Sequence, residues 1–87
     1  MTDKTQIAAV VRQTLTTALG RLVGPHEDLR QSEEPLWDSL KHVELMLMFE
    51  EAFGITLDPE DFVQMTSVEA CVAQISGRLD GRAPDGA

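Results

Sequence analysis

The sequence predicts an all-α fold, a small four-helix bundle of three main helices and one short one. Three observations lead there. Apolar residues recur at steps of three and four in three separate segments, which is the spacing of one helix face. No stretch keeps the strict alternation expected of a strand. Cap and breaker residues stand at the segment ends, where helices start and stop. At 87 residues there is room for one domain and one core. The domain is expected over residues 1–79, with residues 80–87 as a disordered tail that has little to bury.

The first helix carries Ile7, Val10, Val11, Thr14, Leu15, Ala18, Leu19 and Leu22 on one apolar stripe. Thr2 or Asp3 can cap its start, and Gly20 or Gly24 can end it. Residues 24–37, GPHEDLRQSEEPLW, then form a polar connection long enough to suggest a functional loop. Leu29, Leu36 and Trp37 are expected to tuck inward, and Pro35 should hold Glu34 extended.

The second helix is expected from about Asp38 to Phe53, with Asp38 or Ser39 as its cap and Gly54 as its left-handed stop. Leu40, Val43, Met46, Leu47 and Phe53 can share a buried side. Leu45, Met48 and Phe49 widen the apolar surface, so this helix needs several neighbours or a partner protein to cover it. Asp58-Pro59-Glu60-Asp61 signals the short helix: a cap, a proline at the first position and two acids in the first turn. Phe62 and Val63 are expected to anchor it. Thr66-Ser67-Val68-Glu69 fits a capping box for the last helix, along which Val68, Cys71, Val72, Ile75 and Leu79 recur.

Charge narrows the class of partner. The net charge is −8, but residues 27–69 hold twelve acids against two bases, a local −10. Such a segment repels a phosphate backbone and attracts a basic protein surface. The single cysteine, Cys71, allows no internal disulfide and suits a reducing compartment. No apolar run approaches the roughly 20 residues needed to span a bilayer, and the MTDKTQ start lacks the layout of a secretory signal. A cytoplasmic monomer is the expectation.

One stretch carries chemistry. Asp38-Ser39-Leu40 opens the second helix, and Val43-Glu44-Leu45, Phe49-Glu50-Glu51 and Phe53-Gly54-Ile55 follow. Asp-Ser-Leu alone is an ordinary helix start. The whole of DSLKHVELMLMFEEAFGITLDPEDF, with the preceding helix, the long loop and TSVEACVAQI, resembles the acyl carrier protein family from about residue 5 to residue 79. The resemblance implies that Ser39 takes a 4′-phosphopantetheine arm from coenzyme A, flanked by Asp38 and Leu40. It also implies a protein that holds cargo as a thioester and performs no chemistry alone. Its partners would be a phosphopantetheinyl transferase, a ligase or acyltransferase that loads cargo, and synthase and tailoring enzymes with basic docking patches. Glu44, Glu50 and Glu51 match the acidic docking positions of that family, and Met48, Lys41 and Trp37 stand near enough to join them. Cargo in this family can fold back between helices, which makes Leu47, Phe62 and Ile75 candidate cavity residues.

Independently of the resemblance, a helix start with unpaired amides suits an attached phosphodiester. No side chain near Ser39 in sequence activates its hydroxyl, and the family resemblance implies that a modifying enzyme supplies the base and metal.

Two departures bear on subtype. Trp37 stands where the family commonly has a small residue, and Lys41 stands where carriers of primary fatty-acid synthesis commonly have an acid. Lys41 also opposes the helix dipole, by less than roughly 1 kcal/mol. Together with His42, these changes favour a specialised pathway for a polyketide, a modified acyl chain or an activated amino acid.

Other readings carry less. Ser39 and His42 lie three apart, the spacing of a nucleophile and base on one helix face, but nothing in the sequence orients His42. His26, Glu27 and Asp28 lack metal-ligand spacing, and Asp58, Glu60 and Asp61 fall short of a calcium loop. No metal site is expected. Cys71 is placed on a buried side as a small apolar residue. Met46 is expected in the core, with Met48 open to either side. The alternatives to an acyl carrier are a peptidyl or aminoacyl carrier, and an acidic helical adaptor without a prosthetic group.

Overall fold

The computed structural model describes residues 3–81. Helix α1 spans Lys4–Leu19, a single 3-10 turn covers Gln31–Glu33, and α2 spans Ser39–Phe53. The short α3 covers Pro59–Gln64 and α4 runs Val68–Gly81. α1 packs against both α2 and α4, and α3 bridges the ends of α2 and α4. Among the described residues the only β pairing is an isolated antiparallel bridge, Arg30 with Ser67.

Local chemistry sets the ends. The Asp3 side chain accepts from the Gln6 amide to start α1, and Gly20 ends it at φ 70°. Gly54 does the same for α2 at φ 65°, a conformation that L side chains adopt only with strain. Both helices thus stop where glycine permits. Leu22, expected on the α1 stripe, falls beyond the Gly20 stop and is exposed. At α4 the cap lies one residue later than the capping box suggested. Ser67 Oγ accepts from Ala70 N at 3.1 Å, and Asp28 Oδ1, from the long loop, accepts from Glu69 N at 3.0 Å. α4 runs through Gly81, two residues into the segment expected as a tail. The rest of that segment, 82–87, lies outside the described residues.

The core gathers one stripe from each main helix. Ile7, Val11 and Leu15 come from α1, Leu45, Met46 and Phe49 from α2, and Cys71 and Ile75 from α4, all fully buried. Trp37, Leu29 and Met65 fill the space between from the connections. Cys71 behaves as a core residue: burial pushes its thiol up to about 12, with Asp28 adding to the shift, far from a reactive thiolate.

The long loop is ordered by its own polar residues. Glu27 Oε1 accepts from Gly24 N at 3.1 Å and its Oε2 pairs with Arg21 at 3.1 Å, and these contacts hold its carboxyl below the usual range. Gln31 N donates to Thr66 O at 2.8 Å and Val68 N to Leu29 O at 3.0 Å, joining the loop to the start of α4. Leu29 is buried as expected, but Leu36 is exposed. Glu34 is extended before Pro35, as the proline requires.

α3 has too little apolar surface to hold itself. Of its two expected anchors, Phe62 is partly buried against the core, whereas Val63 is exposed. A buried acid supplies the rest. Asp61 receives the Asp58 amide at 2.9 Å, the Gln74 amide at 2.7 Å and the Arg78 guanidinium, which also reaches Asp58 Oδ2 at 2.7 Å. Burial alone would raise the Asp61 pKa, but the Asp58 amide, Arg78 and Gln74 outweigh it and the net shift is downward.

A lowered folded-state pKa means that Asp61 stabilises the fold above its unfolded pKa and loses that contribution as pH falls through the folded one. Asp61→Asn is expected to lower the thermal midpoint at pH 7. The two midpoints should converge as the pH is taken below the ordinary aspartate range, because protonated Asp61 then resembles the variant.

Candidate functional site

The site lies where the long loop meets α2. Trp37 N donates to Glu34 O at 3.0 Å, which closes the turn through Pro35. Asp38 is extended (φ −87°, ψ −174°), and its side chain accepts from Lys41 N at 2.8 Å, which makes it the cap. Ser39 is therefore the first helical residue. Its side chain is exposed, and among the described residues no hydrogen bond holds its Oγ.

The amides of the first turn have no intrahelical acceptors. Asp38 takes the one on Lys41, and the turn leaves a positive helix end beside the exposed hydroxyl. A phosphodiester attached there would be accessible from solvent and would face donors. This donor set fits a phosphate-linked group.

Two neighbours of Ser39 differ from expectation. Trp37, foreseen both as an anchor and among the docking residues, is only 2% exposed. Its indole belongs to the core and offers no face to a partner. His42 has the orienting contacts that its sequence neighbours did not show. Trp37 Nε1 donates to its Nδ1 at 2.9 Å, and its Nε2 lies 2.6 Å from Phe62 O. The rings of Trp37 and His42 stack at 5.9 Å, and Phe62 meets His42 edge-on at 6.4 Å. Both ring nitrogens are engaged away from Ser39. Sequence reasoning missed this arrangement, because two of its three members lie 20 residues apart.

The face that α2 presents also differs. Leu45, Met46 and Phe49 are buried, with Phe53 partly covered. Leu40, Val43 and Leu47, expected inside, are 73%, 46% and 58% exposed. Leu47 therefore stands outside, whereas Ile75 is fully buried and Phe62 partly buried. An almost wholly apolar helix does not reveal its inner face by period, and the buried Trp37 and the engaged His42 fix its rotation instead.

The acids separate by role. Glu50 Oε2 accepts from Leu57 N at 2.7 Å and so ties down the loop after α2. Glu44 pairs with Lys41 Nζ at 2.8 Å on the surface, and Glu51 is exposed. Met48 is half-buried at the edge of the exposed stripe. Among the described residues no cluster of three or more His, Cys, Asp or Glu is placed to hold a metal ion. Glu27 and Asp28 serve as loop and helix caps instead. No described helix is long and apolar enough to cross a membrane.

The structure is thus a small four-helix bundle whose second helix opens on an exposed serine. The comparison with protein families agrees: the phosphopantetheine attachment site family matches residues 5–75, and the chain belongs to that family. A domain of this family bears a 4′-phosphopantetheine group, catalyses nothing itself, and interacts with a phosphopantetheinyl transferase and synthase enzymes. No curated protein matches the sequence.

Asp38→Ala removes the cap oxygen from the Lys41 amide and is expected to cost about 1 kcal/mol in chemical denaturation. An unchanged midpoint would mean that solvent satisfies this amide equally well.

Proposed function

We propose that the chain is an acyl carrier protein of a specialised biosynthetic pathway and that Ser39 is its attachment point. The single observation that carries this reading is the pairing of opposites at the loop–helix junction. Trp37 is buried while Ser39, two residues on, stands exposed at a capped helix start. The transferase takes the Ser39 proton, Oγ bonds to the pantetheine-side phosphorus of coenzyme A, and adenosine 3′,5′-bisphosphate leaves. When attached, the arm supplies a thiol that holds cargo as a thioester. Ser39 fixes the tether point, and the tether raises the cargo's effective concentration at any enzyme that docks.

Docking falls to the outer face of α2. Leu40, Val43 and Leu47 form an exposed apolar stripe at positions i, i+3 and i+7, bordered by Glu44 and Glu51. A partner with a shallow apolar depression rimmed by bases fits this face, and exposed charges make the encounter salt-sensitive. The acidic bias favours acyl over peptidyl cargo, and the Lys41 cation in the first turn after Ser39 favours a specialised partner set.

Intact-protein mass after incubation with coenzyme A, magnesium and a broad-specificity phosphopantetheinyl transferase tests the attachment. The parent should gain one phosphopantetheine and a folded Ser39→Ala variant none; no gain in a folded parent would favour the acidic adaptor. For docking, Glu44→Lys with Glu51→Lys should weaken turnover by partner enzymes about tenfold at low salt and less at high salt. Unchanged turnover would move the docking face elsewhere.

A further inference from the structure

We propose that His42 is a positioning residue that latches α3 to the Ser39 junction and keeps acyl cargo out of the core. An indole N–H only donates, so the Nδ1 that receives Trp37 Nε1–H must be unprotonated. The proton then sits on Nε2, where Phe62 O, an acceptor only, receives it at 2.6 Å. The two partners thus select one tautomer of a neutral imidazole. Phe62 O belongs to the last turn of a six-residue helix, where carbonyls lack intrahelical donors, so His42 caps α3 from across the seam.

The placement couples three elements. Trp37 precedes Ser39 by two residues, His42 follows it by three, and Phe62 lies on α3. Gln74 and Arg78 hold the other side of α3 through Asp61. Phe49, Met46 and Ile75 of the core are fully buried, and Phe62 packs against that core. The open groove of about 1230 Å³ lies elsewhere, against α1 and α4, with no lining residue from α2 or α3. An acyl chain tethered at Ser39 and seeking the core by this route would have to part α2 from α3. That would strand an indole N–H and a helix-terminal carbonyl without partners. The latch holds the cargo outside, available to docked enzymes.

The inference rests on Ser39 as attachment point, so one measurement is made on the protein without its arm. Imidazole nitrogen NMR at pH 7.5 should show His42 protonated at Nε2 alone, and Trp37 indole exchange should quicken at least tenfold in His42→Ala. The opposite tautomer, or equal exchange in a folded variant, overturns the latch. The parent, His42→Ala and Trp37→Phe are then loaded with octanoyl-phosphopantetheine from octanoyl-coenzyme A, with loading verified by mass. Core methyl signals of Met46 and Ile75 should match between arm-only and octanoyl forms of the parent, and shift in the variants. Shifts in the loaded parent, or none in any protein, overturn the exclusion. Failure to load would instead strike at the carrier reading and leave the exchange result to judge the latch. Trp37→Phe keeps the ring's bulk while removing its donor, and it decides the matter if His42→Ala does not fold.

Discussion

Three consecutive residues at the start of α2 have to satisfy opposite demands. Trp37 is buried and Asp38 and Ser39 are exposed, so the chain crosses from core to surface within one turn. The indole fixes the position of the crossing, and Asp38 fixes its direction by accepting from Lys41 N. The position and exposure of Ser39 follow from this pair. A mobile loop would deliver Ser39 over a wide volume, whereas a buried tryptophan two residues away confines it. Burying a side chain of this size is also one of the largest favourable contributions available to so small a core.

Rotation of α2 about its axis is the second consequence. Its sequence is apolar nearly all round: Leu40, Val43, Met46, Leu47 and Phe53 were expected inward, yet Leu45 and Phe49 can turn inward with Met46 equally well. The latter is found. His42 lies on α2 and is held between Trp37 and Phe62, which turns Leu45, Met46 and Phe49 toward the core and leaves the stripe outside. The stripe of Leu40, Val43 and Leu47 is thereby left on the surface, bordered by Glu44 and Glu51.

α3 follows a different rule. Six residues with one exposed valine cannot form a stable helix by propensity or by area. Directed polar contacts hold it instead: Asp61 to Gln74 and Arg78 on one side, Phe62 O to His42 on the other. Buried polar groups of this kind contribute through geometry, since each leaves a costly unpaired partner if displaced.

The sequence by itself determined the helices, their approximate ends and the serine. Apolar period, Asp3, Asp38, Gly20 and Gly54 are local signals, and a helix is a local structure, so neighbours in sequence suffice to read it. The motif around Ser39 was legible for the same reason. It took the packed bundle to decide which side of α2 is buried, that Glu50 serves a loop, that Asp28 caps a helix 41 residues away, and that His42 is oriented. Each of these depends on a contact between distant segments. Such contacts are chosen when the whole chain distributes a limited apolar surface among several helices, and no single segment records that choice.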